Sequence, residues 1–326
     1  MRTPVNVLFR VAAGPRLGFG HLVRCGVLAD ELGVAPLLSL RGSEATARRA
    51  RSLGWALTGS NVRTLGVHRL DLIVVDDPSA AHARPWVERA RQLGIAVATI
   101  HDLGIALVDS DLTIDGSLAS GATDLRGPRY AVLDPSLLAL RDCAPRRRRG
   151  RVVIALGGGV HVRRMGVAIA DRLRRATGVE VDLAPGFAPP PSRALPEGCR
   201  WLASPSGLPA ALATATVAVV AGGMTLYESC LLATPAVGVA VVPAQRRTIR
   251  AAAAAGAMVD ASAPTPAQTV RKAVASVTAL LHDPACAYRL GRRASRLVDG
   301  DGAERVAAQL IRLVQAAEKT GRRHAA

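Results

Sequence analysis

The chain has 326 residues, of which 49% are apolar and 3% aromatic, and it carries a formal net charge of +17 at pH 7. This length favours two domains of ordinary size, and no apolar run reaches the roughly 18 residues that a membrane-spanning helix needs. Basic residues are scattered and aromatic platforms for bases are scarce, which favours an anionic small ligand over nucleic acid. We expect a cytoplasmic protein without a signal peptide, and peripheral contact with a membrane stays open.

The first half of the chain alternates predicted strands and helices. It begins with a buried strand over residues 5–10, a glycine turn, and a helix that continues to residue 32. Further strands are predicted over residues 36–40, 70–76, 95–100 and 112–114, and further helices over residues 44–53 and 85–93. This alternation predicts a parallel, doubly wound α/β sheet, in which ligands bind at the carboxyl ends of the strands.

Residues 127–150 contain several prolines and a run of four arginines, which indicates a connection between domains. The alternation restarts after it, with predicted strands over residues 151–156, 179–183 and 217–221, helices over 165–177 and 208–213, and a proline-rich loop over 185–198. Two similar halves predict two Rossmann-like domains that face each other across a central cleft. We place the first domain over residues 1–140 and the second over residues 150–326.

His21 lies in the first turn of the first predicted helix. A helix N-terminus disfavours imidazolium, so we expect His21 to be neutral near pH 7, as a general base must be. A structural histidine that caps the helix or packs beneath a loop fits the same local pattern. The helical spacing of Val23, Val27, Leu28 and Leu32 predicts that these side chains form the buried face.

A second candidate site follows the strand over residues 217–221, where Gly222 and Gly223 precede Thr225 and Glu228. Glycines at a strand-to-helix turn bring backbone N–H groups close to a phosphate, and the helix N-terminus adds partial positive charge. A diphosphate therefore fits this turn, with Glu228 accepting hydrogen bonds from ribose hydroxyls. The alternative is a capping box between Thr225 and Glu228, in which the carboxylate bonds the backbone instead.

Two further patterns carry less weight. Gly157, Gly158 and Gly159 follow the first strand of the second half, where their amides would reach the same diphosphate. Asp109 and Asp111 form a D-x-D pattern of the kind that holds a divalent cation. These aspartates lie at the start of a strand rather than at a carboxyl end, and hard cations need converging oxygens, so we expect no metal site.

Several common classes of site are missing from the sequence. It has no Walker phosphate loop, and Gly18-x-Gly20 lacks the third glycine of a nicotinamide-binding turn, which disfavours ATPases and dehydrogenases. The five cysteines are odd in number and widely spaced, which favours free thiols over disulfides or zinc. No cofactor is expected.

Short motifs occur along the chain in an order that is more specific than any one of them. The clearest is Arg10 followed by Leu17-Gly18-Phe19-Gly20-His21-x-x-Arg24-Cys25. Supporting motifs lie at residues 74–76, His101-Asp102, 130–133, 156–158, 223–228, Gln245 and 299–305. This order resembles that of the UDP-sugar hydrolase of pseudaminic acid biosynthesis and of the related spore-coat polysaccharide biosynthesis proteins, over nearly the whole chain.

The resemblance implies a GT-B architecture, in which two Rossmann-like domains hold UDP mainly through the second and use no metal. It implies that His21 activates the attacking water and that Glu228 binds the ribose. It implies further substrate contacts at Arg10, Gly18, Gly20, Arg24, Asp76, Asp102, Gly157, Gly158, Gly222, Gly223, Thr225 and Gln245.

This chain also departs from the family pattern. Ala12 stands where the family usually has an aspartate, and Gly14 where it has a serine. Gly159-Val160 replaces the aspartate after the second-domain glycines, and Asp115 replaces an asparagine. These positions would face the sugar or the diphosphate, so the resemblance implies a nucleotide-sugar fold more firmly than a particular sugar.

The leading hypothesis from the sequence is an enzyme of surface-polysaccharide or nonulosonic-acid-type sugar biosynthesis. It would cleave the anomeric C–O bond of a UDP-linked amino or deoxy sugar with water and release UDP. The alternative is an inverting GT-B glycosyltransferase, because the same base and leaving-group site serve both reactions. A basic nucleotide- or nucleic-acid-binding protein without turnover is a third hypothesis. The sequence does not distinguish the sugar, the acceptor or the oligomeric state.

Overall fold

The computed structural model describes residues 5–15, 17–102, 107–142, 150–157, 159, 162–186, 190, 194–203 and 207–320. The chain forms two compact units, one of Met1–Asp134 with Asp301–Ala326 and one of Pro135–Gly300. Among the described residues, none of the helices has the length and apolar character that crossing a membrane requires.

The first unit is built on a parallel sheet with helices along its strands. Its strands are β1 (Val7–Ala12), β2 (Leu37–Arg41), β3 (Ala56–Leu57), β4 (Leu72–Asp76), β5 (Ala96–Ile100), β6 (Leu112–Asp115) and β7 (Leu125–Arg126). The helices that connect them include α1 (Gly20–Leu32), α2 (Glu44–Ser52) and α3 (Ala80–Gln92). The spatial order is β3-β2-β1-β4-β5-β6-β7, and β1, β4 and β5 are buried along their whole length. Continuous apolar strands of this kind are typical of parallel sheets covered on both faces.

The second unit repeats this plan with six strands. They are β8 (Arg151–Ala155), β9 (Glu180–Leu183), β10 (Cys199–Trp201), β11 (Val217–Ala221), β12 (Ala236–Val239) and β13 (Val259–Asp260), in the order β10-β9-β8-β11-β12-β13. The helices are α4 (Ser136–Asp142), α5 (Arg163–Thr177), α6 (Gly207–Thr214), α7 (Met224–Leu231), α8 (Gln245–Ala254), α9 (Pro266–His282) and α10 (Pro284–Ala294). The predicted α/β, doubly wound arrangement with two sheets is confirmed.

The last helix, α11 (Gly302–Lys319), belongs to the first unit although it follows the second in sequence. It packs against α1 and β5. A Cβ at Gly302 would collide with the backbone of Ala131, so only glycine permits this close approach. Arg305 Nη1 also donates to the Arg129 carbonyl at 3.0 Å. The observed units therefore differ from the expected division into residues 1–140 and 150–326.

Residues 127–150 are not only a connection. Within them α4 forms and buries Leu137, and it belongs to the second unit. The arginine run at residues 146–149 lies outside the described residues. The helix predicted from residue 85 begins earlier, at Ala80, with Pro85 in its second turn.

The strand order reverses at one point in each sheet, between β1 and β4 and between β8 and β11. At such a point the connections leave the sheet in opposite directions and open a crevice beyond the carboxyl ends of the strands. Ligand sites are therefore expected after β1 and β4 in the first unit and after β8 and β11 in the second.

Candidate active site

His21 and Asp76 meet at the reversal point of the first sheet. His21 lies in the first turn of α1, directly after β1, and Asp76 is the last residue of β4. His21 Nδ1 lies 2.8 Å from Asp76 Oδ1. Arg24 Nη2 lies 3.0 Å from the same Nδ1, but it donates to Asp76 Oδ1 at 2.6 Å. Because a carboxylate only accepts, we assign the proton of a neutral His21 to Nδ1, which leaves the lone pair on Nε2. The His21 side chain is 14% exposed, so the ring is held in position and is still accessible to a substrate.

Arg24 holds this pair in place from one turn further along α1. Its Nε and Nη2 donate to the two carboxylate oxygens of Asp76, each at 2.6 Å. Its Nη1 donates to Asp102 Oδ1 at 2.7 Å. Asp102 follows β5, so three neighbouring strand ends contribute to one hydrogen-bonded cluster. The cluster joins the predicted residues His21, Arg24, Asp76 and Asp102.

The position of Arg24 explains an error in the predicted face of α1. The buried side chains are Leu22, Cys25, Leu28 and Ala29 together with Arg24, whereas Val23 is 42% exposed. The ion pairs with Asp76 turn the helix so that a charged residue faces the sheet. Apolar spacing alone does not register such a contact, which is why the predicted face was wrong for Val23.

The charges in the cluster determine its protonation. Burial alone would raise the pKa of Asp76, but Arg24 and His21 hold that pKa well below its usual range. Burial alone would lower the pKa of His21, but the charge and hydrogen bond of Asp76 outweigh it and raise the pKa above 6.5. The helix N-terminus alone would lower this pKa, and the shift has the opposite direction because a buried carboxylate lies against the ring.

We expect the acidic limb of the kcat/KM profile to have its midpoint above pH 6.5, because His21 must lose its proton to act as a base. A histidine pKa that is higher in the folded state than in the unfolded state also stabilises the fold. This contribution is complete at pH values below the unfolded-state pKa and is lost as the pH rises through the folded-state pKa. The measurement is kcat/KM between pH 5 and 9 with a saturating second substrate. A limb centred at or below pH 6.5 would contradict the effect of Asp76.

The loop before His21 depends on glycine. Gly14 and Gly18 form a small bridge, with Gly14 N donating to Gly18 O at 3.0 Å and Gly18 N to Gly14 O at 2.7 Å. Gly18 has φ +82°, a backbone conformation that favours glycine. Gly20 begins α1, so the bridge fixes the entry of the helix and with it the direction of His21.

The predicted residue Arg10 lies on the other face of the same sheet. Arg10 pairs in register with Val75, and consecutive residues of a strand point to opposite faces, so Arg10 and Asp76 lie on opposite sides. Arg10 is 4% exposed and lies over the ring of Trp86 at 4.8 Å. The structure does not bring it into the His21 cluster.

The glycine turn of the second unit lies where it was predicted. Gly222 is buried, and a Cβ there would lie 2.9 Å from the Gln245 Cβ, so glycine allows α7 and α8 to approach. A Cβ at Gly223 would meet nothing within 4 Å. Gly223 is the N-cap of α7 and Thr225 is inside the helix, so the capping box between Thr225 and Glu228 is not formed. The amides of this turn stand at the reversal point between β8 and β11.

Two other predicted contacts of this unit have a local structural role. Gln245 begins α8, and its Oε1 accepts a hydrogen bond from Val241 N at 3.0 Å. Gly157 follows β8 with φ +100°, a conformation that favours glycine, and it is exposed. Gly158 lies outside the described residues. Ligand contacts at Gly157, Gly158 and Gln245 stay predictions.

The D-x-D aspartates do not converge. Asp111 Oδ2 accepts a hydrogen bond from Val97 N at 3.0 Å, whereas Asp109 pairs with Arg91 at the surface at 3.1 Å. In the part of the chain that the structure describes, no cluster of three or more His, Cys, Asp or Glu side chains is arranged to hold a metal ion. Asp115 accepts hydrogen bonds from the amides of Ser117 and Gly121.

Sequence reasoning missed one ion pair at this edge. Arg41, the last residue of β2, donates through Nε and Nη2 to Asp77 Oδ2 and Oδ1, each at 2.6 Å. Both residues stand at carboxyl ends of predicted strands, and that placement is the signal that would have drawn attention to them.

The two sheets with alternating helices define a GT-B architecture, the fold of a large class of glycosyltransferases. MurG from Acinetobacter baumannii is similar with a TM-score of 0.64 and 13% identity, over 94% of this chain and 99% of that one. The spinosyn rhamnosyltransferase SpnG is similar with a TM-score of 0.64 and 21% identity, over 95% of this chain and 100% of that one. A structure of SpnG complexed with thymidine diphosphate has a TM-score of 0.64, 20% identity and the same coverage.

The calicheamicin glycosyltransferase CalG4 also has a TM-score of 0.64, at 14% identity and over 96% of this chain and 99% of that one. No model of a known protein family and no curated protein sequence matches the chain. These similarities confirm the predicted GT-B fold. They do not extend to the narrower resemblance to UDP-sugar hydrolases.

Proposed function

We propose that this protein transfers a sugar from a nucleoside diphosphate to an acceptor hydroxyl. The observation that carries the proposal is the 2.8 Å contact between His21 Nδ1 and Asp76 Oδ1 at the reversal point of the first sheet. From it we assign the proton of the neutral ring to Nδ1 and the lone pair to Nε2. The solved GT-B glycosyltransferases of the same fold, one of them in complex with thymidine diphosphate, support a nucleotide-linked donor.

In the proposed reaction, Nε2 of His21 takes the proton of the acceptor hydroxyl as its oxygen attacks the anomeric carbon. The bond from that carbon to the diphosphate oxygen breaks, and its electron pair leaves with the nucleoside diphosphate. Asp76 holds the ring in one tautomer and stabilises the imidazolium that forms. Arg24 keeps Asp76 ionised and in register. One displacement with one base inverts the configuration of the anomeric carbon.

We assign the leaving diphosphate to the turn of Gly222 and Gly223. Backbone amides and the N-terminus of α7 offer partial positive charge to a departing anion without a metal ion. Glu228 lies one turn into the same helix and is partly buried. The capping box is not formed, and we assign Glu228 to the ribose hydroxyls.

Replacing Glu228 with alanine should weaken binding of UDP or TDP by about 1.5 to 3 kcal/mol, since charge-assisted hydrogen bonds to the ribose are lost. Isothermal titration calorimetry measures this change. Glu197→Ala removes the same charge from an exposed position of the same unit and is the matched control. Unchanged affinity together with a lower melting temperature would mean that Glu228 is structural.

The function is tested by incubating the protein with a panel of UDP- and TDP-sugars, with and without hydroxyl acceptors, and measuring release of nucleoside diphosphate. Release only with an acceptor supports the transferase. Release with water alone would favour the hydrolase hypothesis, which uses the same residues with water in the place of the acceptor. Nucleotide binding without release under any condition would overturn both.

A further inference from the structure

Arg10 is a buried guanidinium whose hydrogen bonds the described residues do not complete. It is the fourth residue of β1 and only 4% exposed, and its Nε and Nη1 are buried without a hydrogen-bond partner among the described residues. A buried donor without a partner is costly, and the cost is larger for a charged group. A guanidinium in this condition indicates a place where a ligand completes the hydrogen bonds.

The carboxylate whose charge acts on Arg10 already has other hydrogen-bond partners. Asp77 accepts two hydrogen bonds from Arg41 and a third from Ser79 N at 3.0 Å. Burial lowers the pKa of Arg10 to about 10, the charge of Asp77 opposes this shift, and the charge of Arg41 adds to it. The Arg10 and Arg41 guanidinium groups and the Asp77 carboxylate form one charged group, the Arg10 group, with one positive charge in excess.

We propose that Arg10 binds the carboxylate of an acidic sugar. A planar guanidinium pairs with a carboxylate through parallel N–H groups, and the Arg10 guanidinium carbon lies 4.8 Å from the centre of the Trp86 ring, which restricts the side chain. The excess of one positive charge matches a monoanion. A phosphate dianion would add a second negative charge beside Asp77, so a carboxylate is the better match.

The place of Arg10 connects it to the proposed reaction. Arg10 and Asp76 lie on opposite faces of the sheet, and the link between them is at its carboxyl edge. There Asp76 orients His21, and the charge of the next residue, Asp77, acts on Arg10. The inference rests on the proposed function in one respect, which is that the acidic sugar is a substrate. Its carboxylate belongs either to the acceptor or to the transferred sugar.

The binding test does not depend on turnover. D-glucuronate, its neutral analogue D-glucuronamide, and inorganic phosphate are each titrated into the protein by calorimetry in low-chloride buffer. We expect glucuronate to bind at least roughly tenfold more tightly than glucuronamide, as a charge-assisted bidentate pair implies. Equal binding of the two sugars, or tighter binding of phosphate, would overturn the proposal.

Two variants test the assignment to Arg10. Arg10→Gln removes the charge and should abolish the preference for glucuronate over glucuronamide. Ala12→Asp places a carboxylate on the same face of β1, two residues from Arg10, and should also abolish it by occupying the guanidinium. Ala12→Asn is the neutral control of the same size and should keep the preference. A preference that survives Arg10→Gln would overturn the assignment even if Ala12→Asp does not fold.

Two further arms identify the source of the carboxylate and separate the two proposals. UDP-glucuronate is compared with UDP-glucose as donor, and glucuronate with glucuronamide as acceptor, in the wild type and Arg10→Gln. A rate advantage that Arg10→Gln removes marks the acidic substrate. Turnover without any such advantage leaves the transferase in place and overturns the acidic substrate. Glucuronate binding that depends on Arg10, without turnover of any donor, supports the carboxylate site and counts against the transferase.

Discussion

Replacing His21 with asparagine is expected to lower turnover by a factor of roughly 10² to 10⁴ while nucleotide affinity changes little. Asparagine keeps a side-chain donor that can reach Asp76 but has no lone pair able to take a proton. The nucleotide is assigned to the other unit, so its binding should be independent of His21. Steady-state kinetics and UDP or TDP titration on the same preparation measure the two effects separately.

His82→Asn is the matched control for this change. His82 is an exposed histidine of the same unit whose ring bonds Ser79, and its loss should leave kcat unchanged. The acidic limb of the pH profile should disappear in His21→Asn and persist in His82→Asn. A His21→Asn variant with a nearly normal rate and an intact limb would make His21 structural, and the base would then be sought at Asp76, Asp77 or Asp102.

Replacing Asp76 with asparagine is expected to damage both catalysis and stability. The change leaves the buried Arg24 without its bidentate partner, which should cost about 3 to 5 kcal/mol of unfolding free energy. It also removes the acceptor that fixes the His21 tautomer, so kcat should fall by roughly 10³- to 10⁴-fold. Urea denaturation and initial rates measure the two losses.

Asp102→Asn is the control for this second prediction. Asp102 also accepts from Arg24, but its side chain is 36% exposed, so its removal should destabilise the fold by about 1 kcal/mol or less. The loss of unfolding free energy should therefore be several-fold larger in Asp76→Asn than in Asp102→Asn. Equal stability of Asp76→Asn and Asp102→Asn would show that Asp76 is not the centre of the cluster.

Much of the fold could be predicted from the sequence because its central strands are short apolar runs bounded by turn residues. The strand predicted over residues 217–221 is β11 (Val217–Ala221), and residues 151–156 contain β8 (Arg151–Ala155). The position of His21 in the first turn of a helix was likewise predictable from the preceding glycines. These features depend on neighbours in the chain.

The features that could not be predicted depend on residues far apart in the chain. Asp76 lies 55 residues after His21, and only the pairing of β1 with β4 brings its carboxylate to the ring. The local argument from the helix dipole therefore gave the wrong direction for the pKa of His21. The return of α11 to the first unit and the incomplete hydrogen bonds of Arg10 depend in the same way on contacts that spacing does not reveal.

The decisive measurement for a single displacement by His21 is the anomeric configuration of the first product. Proton NMR during a single turnover of an accepted nucleotide-sugar donor distinguishes the two anomers by their coupling constants before they equilibrate. We expect the configuration at the anomeric carbon to be inverted and nucleoside diphosphate to appear in equal amount. Retention of configuration, or release of nucleoside monophosphate and sugar phosphate, would contradict a single displacement driven by His21.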